Sequence, residues 1–243
     1  MGNEKLLLIH CDWSTEGEFK PEKPDIDINS VTIKCVGRVD PVLVLESFTD
    51  HDGVLLIGCP IGDCHFIDGN VHADLRIKMI HKLMDMAGVE PGRLAIKWAS
   101  PSDEGSAMKA LDEYLDGFAE LGKLRLEIPE KLNAARFTME NYRMRAFVGN
   151  ELLLIEEGNK YGEKLSQEEY DEIADKALGL EFYRNWIHLI LKTESLSVKQ
   201  LAKRVDLDTK DVLGHIVKLN DRGLIQRDGV DGMSPLYIAM EVQ

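Results

Sequence analysis

The most constraining feature of the sequence is an apolar run that leads directly into a loop with two cysteines. Residues 53–58 (GVLLIG) are aliphatic and bounded by glycine, which predicts a buried strand. Cys59 stands where this strand stops, and Cys64 lies in the loop that follows. Pro60 and Gly62 keep that loop tight and non-helical. Two thiols in a loop that a rigid strand holds in place are well positioned to bind a metal.

The other two cysteines occupy matching positions. Residues 6–10 and 31–34 are strand candidates, and they run into Cys11 and Cys35. In a parallel sheet the carboxyl ends of the strands share one edge, where ligands bind. We therefore expect all four thiols to converge at that edge and to bind a metal, in preference to being four ordinary buried cysteines.

Strands and helices alternate along residues 1–125, which predicts an α/β domain of the flavodoxin or Rossmann type, with a parallel sheet and helices on both faces. Its metal site would lie at the strand carboxyl ends. Besides the strands named above, we predict a loop over residues 12–30, a fourth strand over 94–98, and helices over 42–48, 71–87 and 103–121.

Residues 126–179 change in character and predict an acidic helical linker. One helix is expected from Pro129 to about Val148. A second begins at a capping box that starts with Ser166, and Gly179 is expected to end it.

Residues 180–243 have the pattern of a winged helix-turn-helix domain, with Ser197 and Asp208 as predicted N-caps. Three short helices are followed by a hairpin over residues 224–238. The helix that would read DNA, residues 208–222, carries three basic and three acidic side chains. Because DNA binding normally needs a basic face, we expect this domain to dock a protein rather than nucleic acid.

Composition narrows the function classes. The formal net charge is −14, and residues 181–243 hold 9 basic and 9 acidic residues, so the negative excess lies in residues 1–180. This balance argues against non-specific nucleic-acid binding. The chain has no apolar run of membrane-spanning length and no signal-peptide pattern at its start, which predicts a cytoplasmic, reducing setting. There, cysteines more often bind metals or do redox work than form disulfides.

Several segments together closely resemble the delta subunit of methyl-viologen-reducing hydrogenase. The resemblance covers roughly residues 5–122 and leaves the second half of the chain outside. It rests on Cys11-Asp12-Trp13, on residues 31–41 (VTIKCVGRVDP), on residues 58–70 (GCPIGDCHFIDGN), and on residues 88–94 and 98–100.

The resemblance implies a non-catalytic electron carrier with a 2Fe–2S cluster. In anaerobic archaea, such subunits pass electrons from a hydrogenase or a formate dehydrogenase to the flavin subunit of heterodisulfide reductase. Ser14 stands where many members carry a further cysteine, so four thiols remain, the number that a Cys₄ cluster needs. The positions that match family cysteines are Cys11, Cys35, Cys59 and Cys64.

Two other functions remain open from the residues alone. Thiolates also suit zinc, which would make the chain a structural adaptor, although zinc sites usually pair two close CxxC-like elements. A redox-sensing iron–sulfur transcription regulator with a winged-helix DNA-binding domain is the second alternative. The neutral charge of residues 208–222 speaks against it.

Residues next to the cysteines have candidate supporting roles. His10 and His65 flank cysteines and are either replacement ligands or outer hydrogen-bond donors. Trp13 would shield the site or contact a partner. We also expect Asp63 and Asp68 to fix the loop by hydrogen bonds to its backbone, Arg38 to offset negative charge, and backbone N–H groups to donate to sulfur at Gly37, Gly58 and Gly62.

Overall fold

The computed structural model describes residues 3–15, 19 and 25–240, and the chain divides into two compact units between Ile128 and Pro129. Among these residues, no helix combines the length and the apolar character that crossing a membrane requires. The predicted loop over residues 12–30 lies partly outside the described residues.

The first unit is a four-stranded parallel sheet flanked by helices, as the alternation of strands and helices predicts. The strand order is β2-β1-β3-β4, and every neighbouring pair is parallel. The elements in chain order are β1 (Glu4–Cys11), β2 (Ile26–Ile33), α1 (Pro41–Ser47), β3 (Gly53–Gly58), α2 (Gly69–Ala87), β4 (Leu94–Trp98) and α3 (Ser106–Leu121), with single 3₁₀ turns at Val36–Arg38 and Pro91–Arg93.

The core of this unit follows the period of two along the central strands. Leu55 and Ile57 of β3 lie on the face that helix α3 covers, and neither side chain is exposed. Val54 and Leu56 point to the opposite face and are equally buried. Both faces of β3 are therefore covered, which is why its sequence is a continuous apolar run rather than an alternating one.

Strand β2 begins earlier than predicted. Ile26 to Ser30 were expected in a loop, but they pair with β1 from Glu4↔Ile26 onward. The strand lies at the edge of the sheet, and most of its side chains face solvent. Only Ile26 and Ile28 are apolar in this part, so the alternation that marks a strand is too short to stand out from the polar segment before it.

A buried arginine holds the edge of the first unit that lies away from the strand carboxyl ends. Arg93 is 1% exposed, and its guanidinium donates to the carboxylate of Glu90, with Nε–Oε2 at 2.7 Å. It also donates to backbone carbonyls of Asp52 (3.0 Å) and Gly122 (2.8 Å). A guanidinium this deeply buried is tolerated because carboxylate and carbonyl acceptors surround it.

The second unit is mainly helical and ends in a three-stranded antiparallel sheet of order β5-β7-β6. Its elements are α4 (Pro129–Glu140), α5 (Tyr142–Gly149), a π-helical turn (Leu153–Glu157), α6 (Gln167–Leu191), β5 (Leu196–Ser197), α7 (Val198–Val205), α8 (Thr209–Asp221), β6 (Ile225–Asp231) and β7 (Ser234–Ala239).

The single helix predicted from Pro129 to Val148 is in fact two helices. The break is at Asn141, whose side chain accepts a hydrogen bond of 2.9 Å from the backbone N–H of Arg143 and so caps α5. Asparagine favours this N-cap position because its side-chain oxygen replaces a missing helical partner.

The helix end predicted at Gly179 is wrong, because α6 continues through this residue to Leu191. Leu178, Phe182 and Trp186 lie at helical spacing on both sides of Gly179, and all are buried. Packing of this apolar stripe outweighs the cost of about 1 kcal/mol that a glycine adds to a helix interior. The start of α6 is as predicted, with a complete capping box between Ser166 and Glu169.

Candidate metal centre

The structure brings the four cysteine thiols together at the carboxyl-end edge of the parallel sheet. Cys11 is the last residue of β1, and Cys59 follows β3 directly. Their Sγ atoms are 3.9 Å apart. The Sγ atoms of Cys35, which follows β2, and Cys64, in the loop after β3, are 4.0 Å apart. All four thiols are free of disulfides, and they form two pairs.

The two pairs are close enough to influence each other electrostatically. Burial, together with the charges of Cys11 and Cys64, raises the pKa of Cys59 to about 11. Burial also raises the pKa of Cys35, where Cys64 and Cys11 act in the same direction. In the part of the chain that the structure describes, no three His, Cys, Asp or Glu side chains are grouped to hold one metal ion. The site thus consists of two thiol pairs rather than one group of three or more ligands.

Backbone N–H groups point at one sulfur of each pair. The N–H of Gly37 donates to Sγ of Cys35 at 3.4 Å, as predicted. The backbone N–H of His65 donates to the Cys59 sulfur, and both bonds lower the pKa of the thiol that accepts them. Each donor therefore favours the thiolate, which is the form that binds metals.

Asn70 fixes the cysteine loop, a role that we predicted for two aspartates. Its buried side-chain amide donates to the carbonyl oxygens of Cys59 (3.1 Å) and Pro60 (2.6 Å). Among the described contacts, Asp63 makes no side-chain bond to the loop, and Asp68 lies 3.5 Å from the imidazole of His72. Sequence reasoning missed Asn70, which stands in the first turn of α2, because its acceptors are backbone carbonyl groups.

Two glycines form the wall beside the Cys35–Cys64 pair. A Cβ atom at Gly69 would lie 2.4 Å from Sγ of Cys35 and 3.4 Å from Sγ of Cys64. A Cβ atom at Gly37 would lie 2.4 Å from the carbonyl oxygen of Gly69. The two backbones therefore approach each other as closely as only glycine permits. Sequence reasoning named Gly37 as a donor but missed Gly69.

Apolar side chains surround the site on its exposed side. The rings of Trp13 and His65 stack with centroids 3.6 Å apart and planes at 11°. Trp13 and Phe66 are about half exposed, and Ile67 is 86% exposed. Ile67 also has a φ of 72°, a left-handed conformation that is strained for a β-branched residue. Solvent-facing apolar residues and backbone strain at one loop are typical of a functional surface.

The other residues next to the cysteines form hydrogen bonds within the protein or face solvent. Both ring nitrogens of His10 are engaged, Nδ1 at 2.8 Å from the Thr15 hydroxyl and Nε2 at 3.0 Å from the Thr32 hydroxyl. This arrangement leaves His10 no free nitrogen for a metal. Ser14 is buried and donates to the carbonyl of Cys11 at 3.2 Å. Arg38 is exposed at the end of its 3₁₀ turn.

Comparison with known proteins places this unit in a family. The sequence model of the methyl-viologen-reducing hydrogenase delta subunit matches residues 8–122. The chain is 33% identical over 129 residues to an iron-sulfur subunit of the F420-non-reducing hydrogenase of Archaeoglobus profundus, an alignment that covers 50% of this chain and 93% of that protein. It is 28% identical over 134 residues to the vhc iron-sulfur subunit of the same type of hydrogenase from Methanococcus voltae, with 51% and 90% covered.

A third relative is much larger. The chain is 28% identical over 136 residues to one subunit of the ferredoxin:CoB-CoM heterodisulfide reductase of Methanosarcina mazei, which covers 53% of this chain and 17% of that protein. The segment that matches the family contains all four cysteines, Gly37, Gly69 and Asn70, and it ends where α3 ends. Through its first unit, the chain belongs to the methyl-viologen-reducing hydrogenase delta subunit family.

Proposed function

We propose that this protein is an electron-transfer subunit that carries a 2Fe–2S cluster on Cys11, Cys35, Cys59 and Cys64. The observation that carries the proposal is the pairing of the thiols, at 3.9 and 4.0 Å. Two thiolates that bind one tetrahedral metal at about 2.3 Å lie about 3.8 Å apart. Each pair therefore has the spacing of two ligands on one iron, and a Cys₄ cluster with two irons needs two such pairs.

The same pairing supports two irons in preference to one zinc ion. A structural zinc ion takes four ligands at one point. Among the described residues no three potential ligands are grouped around one point, whereas two pairs lie within electrostatic reach of each other. The donor set thus fits two irons better than one zinc. When bound, such a cluster takes up and releases one electron at a time.

The surrounding residues would hold the thiolates and limit the access of water. The N–H groups of Gly37 and His65 each donate to a sulfur, and such bonds stabilise negative charge on the ligands and raise the reduction potential. Gly69 leaves room beside Cys35 that any side chain would fill. The ring stack of Trp13 and His65 screens the loop.

We infer that electrons pass between a hydrogenase or a formate dehydrogenase and the flavin subunit of heterodisulfide reductase. The names of two relatives, one from a hydrogenase and one from a heterodisulfide reductase, support the hydrogenase and heterodisulfide reductase ends of this route. The half-exposed Trp13 and Phe66 beside the cysteines suit a contact with a redox partner.

The decisive experiment is metal analysis and EPR spectroscopy of the anaerobically purified full chain. We expect about two irons and two sulfides per chain, as a 2Fe–2S centre requires, with an EPR signal on reduction. Cys59→Ser and Cys64→Ser, which take one thiol from each pair, should each reduce the bound iron. One zinc per chain, without sulfide or visible colour, would rule out the electron-carrier function.

A specific arrangement in the second unit favours one other candidate, a redox-sensing transcription regulator. Helices α7 and α8 are joined by a short turn and followed by the β6–β7 hairpin, which supports a winged-helix domain over residues 180–243. The proposed domains before it are the delta-subunit-like domain, residues 1–125, and the helical linker, residues 126–179. Helix α6 runs from this linker into the winged-helix domain.

The exposed face of α8 does not suit DNA. Lys210 and Lys218 are accompanied by Asp211 and Asp221 on the same helix, and Leu213 and Val217 are about half exposed. An apolar, neutral face is more typical of protein docking than of contact with phosphates. Retention on heparin that falls steeply with salt would favour the regulator, and elution at low salt would count against it.

A further inference from the structure

The second unit contains a pocket of about 380 Å³ that is lined by an excess of positive charge. Its lining includes four cationic side chains, those of Arg143, Arg184, Lys218 and Arg222, and two carboxylates, those of Glu181 and Asp221. The local excess of two positive charges contrasts with the formal net charge of −14 for the whole chain. The pocket has the volume of a small-molecule site.

A single buried carboxylate organises the wall of this pocket. Glu181 is 7% exposed and accepts hydrogen bonds from Asn141 Nδ2 (2.9 Å) and Arg222 Nη1 (2.9 Å). It also accepts a bond from Nη1 of Arg184. Because two guanidinium groups share one carboxylate, about one positive charge at this wall has no anionic partner among the lining residues.

Arg184 retains an unsatisfied donor. Its side chain is 12% exposed, and the Nε–H is buried with no hydrogen-bond partner among the residues that the structure describes. Burial lowers the pKa of Arg184, Glu181 opposes this change, and the charges of Arg222 and Arg143 add to it. Buried charged donors without an acceptor are costly and rare, so the donors around Glu181 outnumber the acceptors that the described residues supply.

Helix dipoles explain only part of the positive charge. Lys218 and Arg222 stand at the carboxyl end of α8, where cations are favourable, and Lys218 also lies 3.6 Å from the carboxylate of Asp221. Arg143 is different, because it stands in the first turn of α5, where the dipole disfavours a cation. Neither its position nor the free Nε–H of Arg184 follows from stabilising the helices.

We propose that this pocket binds the phosphate group of a small phosphorylated ligand. A phosphate monoester carries a charge of about −1.5 to −2 at neutral pH, which matches the excess of two positive charges. It offers several oxygen acceptors, and guanidinium groups bind such oxygens in a paired geometry. Asn141 and Arg143 at the amino end of α5 line the pocket, so this helix end adds a positive partial charge to it.

The test is binding of inorganic phosphate and of adenosine monophosphate to the full chain, measured by calorimetry and by the thermal unfolding midpoint. We expect saturable binding and a rise of the midpoint with ligand concentration. Tighter binding of the nucleotide would identify a phosphate ester as the ligand, and equal binding would identify free phosphate. A midpoint that rises equally with chloride at matched ionic strength would overturn the proposal.

Substitutions of the lining residues test whether phosphate binds in this pocket. Arg143→Gln and Lys218→Gln remove cations that are exposed, so the fold should be retained, and each should weaken phosphate binding at least tenfold. Lys210→Gln is the matched control, because this lysine is exposed on α8 but does not line the pocket. Unchanged affinity in both pocket variants, or equal weakening in the control, would show that the pocket is not the site.

Discussion

Trp13 and His65 stack face to face, with ring centroids 3.6 Å apart, although they are 52 positions apart in the sequence. Trp13 follows β1 and Cys11, whereas His65 follows Cys64 in the loop after β3. The stack thus ties together the two chain segments that carry three of the four cysteines.

Removal of this stack should open the site to reagents. For Trp13→Ala we expect iodoacetamide to alkylate the thiols of the metal-free chain about two to ten times faster, since an aromatic pair contributes about 0.5–1.5 kcal/mol. Mass spectrometry of cysteine peptides at timed intervals measures this rate. Tyr142→Ala, at an exposed aromatic residue of the second unit, is the control, and identical rates in both variants would contradict a shielding role.

A methyl group at Gly69 should damage the site. Gly69→Ala places Cβ 2.4 Å from Sγ of Cys35, so the sulfur or the loop must shift. We expect a clear loss of bound iron and a free energy of unfolding lower by about 1–3 kcal/mol, the usual cost of overpacking. Iron analysis and urea unfolding measure the two effects.

Gly117→Ala is the matched control for this substitution. Gly117 lies within α3, and a Cβ atom there meets nothing within 4 Å. Alanine should therefore keep the iron content and stabilise the helix by about 0.5–1 kcal/mol. If Gly69→Ala also kept its iron, close packing of glycine against the sulfur would not matter for metal binding.

Loss of the Asn70 amide should loosen the cysteine loop. Asn70→Ala removes the donor to the carbonyls of Cys59 and Pro60 and leaves both acceptors unsatisfied, at a cost of about 1–3 kcal/mol. We expect faster hydrogen exchange in residues 59–69 and a lower midpoint of urea unfolding. Asn220→Ala, at an exposed helical position in the second unit, should leave exchange in this loop unchanged.

Acid should weaken the second unit through Glu181. Burial opposes ionisation of Glu181, but the bonds and charges of Arg222 and Arg184 prevail, so its pKa lies below the usual value. A carboxylate with a lowered pKa stabilises the fold above the unfolded-state pKa of about 4.3, and this contribution disappears as the pH falls through the folded-state pKa.

The stability of Glu181→Gln should consequently depend less on pH below about 4.3 than that of the wild type, as urea midpoints at a series of pH values would measure. At pH 7 the variant should be less stable by about 3–5 kcal/mol, because it leaves buried guanidinium charge uncompensated. Burial lowers the pKa of the nearby His215. The titration of this histidine changes the stability at higher pH, and it does so in both proteins. Glu172→Gln, exposed on the same helix, should behave like the wild type.

Sequence patterns predicted best where burial alone decides the structure. Strands β3 and β4 have the predicted bounds, because their residues are uninterrupted by polar side chains or flanked by clear turn signals. Strand β2 was placed too late, since an edge strand keeps polar residues on its open side. A glycine such as Gly179 is typical of a helix end, but packing of the apolar stripe on both sides of it continues the helix to Leu191.

In the site, the positions of the cysteines follow from the ends of strands, whereas their supports do not. Gly69, at the start of α2, is defined by its distance to Cys35, which is 34 positions earlier and follows β2. Asn70 acts on carbonyl groups of the loop, which no side-chain pattern marks. Contacts of this kind depend on how the elements pack, and a single sequence carries little local signal for them.

The buried guanidinium of Arg93 bears on how the family segment occurs in proteins of different length. Besides Asp52, it binds carbonyls of Leu121 and Gly122, the residues with which the matched segment closes. The last residues of the matched segment are thereby bound to a buried side chain of the first unit. A matching segment accounts for 93% of the length of one relative and 17% of another, and in this chain it is followed by a second unit.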